Sequence, residues 1–212
     1  MMQFAHRVVG DLAAAMAGPL LYIGDRLGIF RALAASGPLT VQELADQTGL
    51  NERYLREWSA AMVAAEYLSY DPPRRTITLS REHAAVLADE RSPVFVGGMS
   101  QMIPDHYRLL PRITHAFQHG GGVPYDQYSP DVFEGTERLF GPGYRNFLVR
   151  QWLPALRGVP ERLAAGGLAG DVGCGRGQAL LTLAEAFPAA HLVGWDNYAP
   201  NIAYAGEQAR RA

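Results

Sequence analysis

Three glycines at alternate positions constrain this chain more than any other feature of its sequence. The run 170–177 (GDVGCGRG) places an acidic residue at the end of a predicted strand and a predicted helix directly after the last glycine. Glycine has no Cβ atom, so the backbone can approach a ligand closely. The N-terminus of the following helix presents free N–H groups that suit a carboxylate or a phosphate. The run therefore predicts a cofactor loop that opens a nucleotide-binding fold.

The spacing of this loop favours S-adenosylmethionine over a dinucleotide. A dinucleotide fingerprint would place its third glycine at 178, where the sequence has Gln178. Asp171 would repel a pyrophosphate, but it suits the ammonium of an amino acid whose carboxylate meets the helix N-terminus. Asp196, at the end of a predicted second strand 191–195, can accept both hydroxyls of an unphosphorylated ribose. An amino acid and a ribose together predict S-adenosylmethionine.

Residues 20–90 carry the pattern of a winged helix-turn-helix. Thr40 and Glu43 form a capping-box signal for a helix that ends at Gly49, and Asn51 is a second helix-cap signal. The remaining predicted elements are helices at 20–27, 30–35 and 52–67 and a hairpin of strands 68–70 and 76–79. Before them, an apolar helix is predicted at 3–16 and should be broken at Pro19.

Three regions follow from these signals. Residues 1–92 are predicted to be a winged-helix and dimerisation domain, and 93–163 a helical connector with a candidate lid. Residues 164–212 are predicted to contain strand 168–172, helix 177–187, strand 191–195 and helix 200–211. The fold class is thus a mainly α winged helix-turn-helix followed by an incomplete α/β Rossmann-like domain.

The loop 170–177 and the sequence VGWD at 193–196 resemble motifs I and II of class I S-adenosylmethionine-dependent methyltransferases. The winged-helix segment followed by GGGVPYDQY at 120–128 resembles the N-terminal part of bacterial small-molecule O-methyltransferases. The resemblance implies methyl transfer from S-adenosylmethionine to a small molecule, with a winged-helix domain that dimerises. It places the cofactor on Asp171, Gly173, Cys174, Gly175, Gly177 and, at the ribose, Asp196.

The same family has a seven-stranded sheet, and this sequence provides two of its strands. We therefore expect a chain shortened after motif II, in which methyl transfer is lost or impaired. We also expect weak cofactor binding or none, and a weak strand at Gly170. No general base is identified, because in relatives it commonly lies in the later half of the catalytic domain.

Five residues are candidates for contact with the substrate. Met102, His106 and Tyr107 share a helical stripe, and Tyr125 and Tyr128 follow the glycine joint as a candidate lid. Such stripes and connectors are also common in a protein core, so both interpretations stay open.

Two further features, a histidine pair and the single cysteine, are not predicted to be metal-binding or nucleophilic sites. His115 and His119 lack an evident third ligand, so no metal is predicted. Cys174 lacks a nearby histidine and is interpreted as a small loop residue, not as a nucleophile.

Two alternatives to an enzyme are a DNA-binding regulator and a non-catalytic dimerisation remnant. Helix 52–67 has two arginines against three glutamates, and only Arg74 and Arg75 add positive charge at the wing. Phosphate binding needs a positive surface, so nucleic acid is disfavoured as a partner.

Composition supports an ordinary globular protein, with a net charge of −2 and 48% hydrophobic residues. The single Cys174 excludes an intramolecular disulfide. The sequence shows no signal-peptide pattern and no uninterrupted apolar run long enough for a membrane span. The expectations are a cytoplasmic location, a homodimer formed through the apolar first helix, a small-molecule methyl acceptor and no membrane partner.

Overall fold

A computed structural model describes residues 2–211 and divides the chain into two compact units. The first unit ends at Tyr107 and the second begins at Arg108. Each unit is described by itself below. The three-part division with boundaries after residues 92 and 163 stays a prediction.

The first unit is the winged helix-turn-helix that the sequence predicts. Its helices are α1 Met2–Arg26, α2 Ile29–Ser36, α3 Val41–Thr48, α4 Glu52–Ala64 and α5 Arg81–Leu87, and α6 Gly97–His119 begins in it. Strands β1 Leu39–Thr40, β2 Ser69–Asp71 and β3 Thr76–Thr78 form an antiparallel sheet in the order β1-β3-β2. The pairing of β1 with β3 is the one addition to the predicted hairpin.

Both predicted helix caps in this unit are confirmed. The Thr40 hydroxyl accepts a hydrogen bond from the Glu43 N–H at 3.2 Å, and the Thr40 N–H donates to the Glu43 carboxylate at 2.7 Å. Asn51 accepts from the N–H groups of Arg53 and Tyr54. These caps satisfy orphan donors of α3 and α4, so the two helices begin at defined residues.

The predicted break at Pro19 is wrong. Helix α1 runs through Pro19 without interruption. A proline in a helix removes the donor for the carbonyl four residues earlier, here that of Ala15. The Tyr107 hydroxyl donates to this carbonyl at 2.9 Å, so a tertiary hydrogen bond replaces the missing one.

A single apolar core holds the first unit together. Trp58 packs against Phe30 with ring centroids 5.4 Å apart, and its indole N–H donates to the Leu20 carbonyl at 2.8 Å. Gly24 permits this contact, because a Cβ atom there would lie 2.5 Å from the Phe30 ring. The other buried members are Ile29, Leu33, Leu44, Ala45, Leu55, Met62, Leu68, Ile77 and Leu79.

The second unit contains one βαβ arrangement preceded and followed by helices. A 3₁₀ turn at Tyr125–Gln127 leads to helix α7 Pro130–Gly143, which continues as a wider π-helical segment Tyr144–Trp152. Then come a 3₁₀ turn Leu153–Ala155, α8 Val159–Ala164, β4 Leu168–Val172, α9 Gln178–Ala186, β5 His191–Trp195 and α10 Ala199–Arg211.

Strands β4 and β5 pair in parallel over all five residues, with Asp171 opposite Gly194. The strand at Gly170 is therefore complete, contrary to the expected weakness. Gly170 has a packing role: a Cβ atom there would lie 2.6 Å from the Trp195 ring. One face of this pair stays uncovered, with Leu168 72% and Val172 86% exposed.

Candidate functional site

The glycine loop between β4 and α9 folds back onto the end of β5. The N–H groups of Gly173 and Cys174 both donate to the Trp195 carbonyl, at 2.7 and 2.9 Å. Gly173, Gly175 and Gly177 have φ angles of 79°, 54° and 82°. These left-handed values are strained for residues with a Cβ atom, which explains the choice of glycine at all three positions.

The three glycines differ in what surrounds them. A Cβ atom at Gly173 or Gly175 would meet nothing within 4 Å, so the backbone borders open space there. A Cβ atom at Gly177 would lie 2.9 Å from the Cβ of Ala205 in α10. The first two glycines therefore leave room for a ligand, whereas the third permits close helix packing.

Asp196 joins the two motifs. One of its carboxylate oxygens accepts from the Gly175 N–H at 2.9 Å, and the other accepts from the Tyr198 N–H at 2.9 Å and the Asn201 amide at 3.5 Å. These bonds fix the orientation of the carboxylate. A carboxylate offers about four lone-pair sites, so it can still accept from ligand hydroxyls.

A cleft opens beside this loop. Six of the predicted residues line it: Asp171, Gly173, Cys174, Gly175, Asp196 and Tyr125. Gly177 lies instead directly before α9 and packs against α10. Tyr128 is not among the described lining residues, although its ring lies 6.2 Å from that of Tyr125.

Four residues that form one wall of the cleft were not predicted from the sequence. Phe133, Glu137, Phe140 and Tyr144 line it, and their spacing of four, three and four residues is that of a single helix face. This periodicity in α7 and the segment after it was the signal that could have identified them. The other lining residues outside the prediction are Thr136, Arg176, Gln178, Ala179 and Asn201.

Aromatic rings cluster at the end of the cleft near Asp196. The Phe133 and Tyr198 rings are stacked, with centroids 4.2 Å apart. The Tyr125 ring meets both edge-on, at 5.1 Å from Phe133 and 6.0 Å from Tyr198. The cluster places aromatic rings beside a fixed carboxylate, which suits a ligand that has both a ring and hydroxyl groups.

The electrostatics of the cleft favour a positively charged ligand group. Burial, and then the negative charge of Asp196, raise the pKa of Asp171 above its ordinary value. Burial and Asp171 likewise raise the pKa of Tyr144. A cation beside Asp171 would relieve this repulsion.

Cys174 has the properties of a structural residue. Burial raises the pKa of its thiol, and Asp171 and Asp196 raise it further. Because the nucleophilic form of cysteine is the thiolate, this environment works against nucleophilic catalysis.

The other candidate residues lie elsewhere. Met102, His106 and Tyr107 belong to the first unit, whereas the cleft is built from the second, so their contact with a substrate stays a prediction. The rings of His115 and His119 are stacked at 4.2 Å. Within residues 2–211, no group of three metal-ligating side chains comes together.

The exposed face of α4 carries paired charges. Arg53 pairs with Glu57, and Arg56 pairs with Glu52 at 2.7 Å. At the wing, Arg74 lies 3.6 Å from Asp71. These arginines are neutralised locally, so the surface lacks the positive stripe that phosphate binding needs.

Helix α1 is also the one described helix that is long and apolar enough, by length and composition alone, to cross a membrane. Only 17% of its apolar window is buried.

Comparisons with known proteins agree with this architecture. Residues 14–89 match the family model of the Rv2258c-like winged HTH domain. The chain is 27% identical over 199 residues to a mitomycin biosynthesis 6-O-methyltransferase of Streptomyces lavendulae, a match that covers 87% of this chain and 54% of that relative.

Solved structures of methyltransferases share this architecture. The mitomycin 7-O-methyltransferase MmcR superimposes with a TM-score of 0.67 at 21% identity, over 99% of this chain and 63% of that one. The S-adenosylhomocysteine-bound form of CalO1, a methyltransferase in calicheamicin biosynthesis, gives 0.63 at 23% identity, over 96% and 61%. This chain therefore has the fold of an N-terminal winged helix followed by part of a class I methyltransferase-like domain. It spans 54–63% of the length of these three proteins.

Proposed function

We propose that the cleft of the second unit binds S-adenosylmethionine and that the whole protein transfers its methyl group to a small molecule. The donor set of the cleft fits this cofactor. Asp171 suits the ammonium, the free N–H groups at the start of α9 suit the carboxylate, and Asp196 suits the ribose hydroxyls. The open space at Gly173 and Gly175 leaves room for the backbone to touch the cofactor.

The chain's own contribution is positioning. When bound, S-adenosylmethionine supplies a sulfonium methyl group that passes in line to the acceptor atom, while the sulfur keeps the bonding electron pair. The rings of Tyr125, Phe133 and Phe140 line the cleft and make part of its wall apolar. An aromatic face close to a cation attracts it by about 0.5–2 kcal/mol, so such rings suit a sulfonium. Correct orientation of the reactants alone can lower an activation barrier by about 7–11 kcal/mol.

The single observation that carries the proposal is the bond from the Gly175 N–H to the Asp196 carboxylate, which brings both motifs to one cleft. The test is a titration of the ¹⁵N-labelled chain with S-adenosylhomocysteine, monitored by NMR. Asp196→Ala should weaken binding at least about tenfold, since a hydrogen bond to a charged group contributes about 1.5–3 kcal/mol. Asp46→Asn, an exposed carboxylate of the first unit, serves as the matched control. Equal affinity of the Asp196 and Asp46 variants would contradict the assignment.

We further propose that these 212 residues alone bind the cofactor weakly and do not turn over. The support is the uncovered apolar face of the β4–β5 pair, since a two-stranded parallel sheet has little stability of its own. The dissociation constant should exceed about 100 µM, a binding free energy smaller than about 5.5 kcal/mol. Low-micromolar affinity by calorimetry would contradict this, and no saturable binding at all would favour a non-catalytic dimerisation remnant.

A second copy of the chain is the proposed partner of α1. Its first four turns expose a nearly continuous apolar surface: Met2, Phe4, Val8, Val9, Leu12 and Met16. Such a surface is large for a monomer. Sedimentation should give a dimer that Leu12→Glu dissociates, whereas flotation of the protein with lipid vesicles would point to a membrane instead. We also propose a cytoplasmic location, which the single cysteine supports.

A DNA-binding regulator is the alternative, and its support is the winged-helix match over residues 14–89. The paired arginines of α4 argue against it. A gel-shift titration over salt separates the two: duplex binding that weakens steeply with salt would favour the regulator.

A further inference from the structure

Arg176, between the second and third glycines of the loop, is held on three sides. Its Nε lies 3.1 Å from a carboxylate oxygen of Glu137, and Nη1 lies 4.0 Å from Glu134. Its guanidinium carbon lies 3.6 Å from the centre of the Tyr204 ring. Only 16% of its side chain is exposed. One side chain of the glycine loop therefore connects α7 on one side with α10 on the other.

The ion pair between Arg176 and Glu137 is largely buried. Burial raises the pKa of Glu137, although Arg176 acts in the opposite direction. The cost of removing the carboxylate from water therefore exceeds the attraction of its partner. Replacing both partners of a buried ion pair by well-packed apolar residues is often neutral or stabilising, so such a pair can be retained for the geometry that it imposes.

The loop needs such a constraint. Arg176 lies between Gly175 and Gly177, and glycines lose more conformational freedom on folding than any other residue. A loop that is ordered before binding does not have to be ordered by its ligand, so affinity rises. A lysine could restore the charge at 176, but it lacks the planar group that stacks on Tyr204 while it faces Glu137.

We propose that Arg176 is a positioning residue. Through Glu137 and Tyr204 it holds the backbone of the glycine loop in the conformation that receives the cofactor, and it fixes the loop against α7, whose Phe133 and Phe140 line the same cleft. The inference rests on the proposed function, because it assumes that the loop receives the cofactor. The ordering of the loop is nevertheless measurable without any ligand.

The test is hydrogen exchange of the full chain without ligand, resolved by NMR at single amides. The Gly175 N–H, bonded to Asp196, and the Gly177 N–H, bonded to the Cys174 carbonyl, report on the loop. In Arg176→Ala both should exchange about tenfold faster or more, a larger change than at amides elsewhere in the second unit. Arg176→Lys should lie between Arg176→Ala and the wild type, because it keeps the charge and loses the stacking.

Two variants complete the design. Glu137→Gln should accelerate the same two amides, because it removes the ion pair without changing the side-chain shape. Glu207→Gln removes the exposed pair with Arg211 in the same unit and should leave these amides unchanged. Unchanged exchange at Gly175 and Gly177 in Arg176→Ala would overturn the proposal, as would a uniform increase over the whole second unit. Neither result depends on cofactor binding, so failure here is distinct from failure of the proposed function.

Discussion

Replacing Gly173 by alanine separates the stability of the loop from its function. Gly173 has a φ angle of 79°, and a Cβ atom there would meet nothing within 4 Å. The cost to folding is therefore backbone strain alone, about 1–2 kcal/mol for an L-residue in the left-handed region. The more restricted unfolded chain offsets about 0.4–1 kcal/mol of this. The net loss should be about 1 kcal/mol, which lowers the melting temperature of a unit of this size by about 4–6 °C.

The effect on binding should be larger than the effect on stability. The new methyl group would project into the space beside the cleft that Gly173 lines. We expect the affinity for S-adenosylhomocysteine to fall more than about tenfold, a loss above about 1.4 kcal/mol. Gly158→Ala is the matched control in the same unit: its φ is 75°, and a Cβ atom there also meets nothing within 4 Å. It should lose the same stability and keep the wild-type affinity.

Thermal unfolding by circular dichroism and NMR titration of each variant provide the two measurements. Wild-type affinity in Gly173→Ala would show that the open space at Gly173 is not the ligand site. An equal loss of affinity in Gly173→Ala and Gly158→Ala would show that general destabilisation, not contact, controls binding.

Further predictions concern stability and its dependence on pH. Leu33 is fully buried, so Leu33→Ala should cost about 2–5 kcal/mol in urea unfolding. Thr40→Ala should cost about 1 kcal/mol by the same assay, because it removes the cap of α3. Hydrogen bonds from Thr40 lower the pKa of Glu43. The Glu43 carboxylate therefore stabilises the fold above the unfolded carboxyl pKa, and this stabilisation is lost as pH falls through the folded value. Glu43→Gln should abolish this loss at acid pH. Burial raises the pKa of Glu137, so the stabilising contribution of this side chain is present below the unfolded pKa and is lost as pH rises through the folded value. In Glu137→Gln this loss should disappear from the same titration.

Much of the fold was predictable because its signals are local. The strands 168–172 and 191–195 have the bounds that the sequence indicates. The capping box at Thr40 was also predictable, since the cap and its partner lie three residues apart. The glycine loop and Asp196 meet because parallel strands place their carboxyl ends at one edge of the sheet.

What escaped prediction depends on contacts between distant residues. The continuity of α1 through Pro19 depends on the Tyr107 hydroxyl, which is far away in sequence. Gly170 looked like a weak point until the Trp195 ring was found to fill its space. The role of Arg176 depends on Glu137 and Tyr204, which lie on different helices, so no local pattern could reveal it.

Titration of the ¹⁵N-labelled chain with S-adenosylhomocysteine up to millimolar concentration tests the cofactor site most directly. The geometry of the cleft predicts saturable shifts of the amides of Gly173, Gly175 and Asp196, with a dissociation constant above about 100 µM. The amides around Arg75 at the wing should stay unchanged. Saturable shifts at the wing, or none at the glycine loop, would contradict the assignment of this cleft to S-adenosylmethionine.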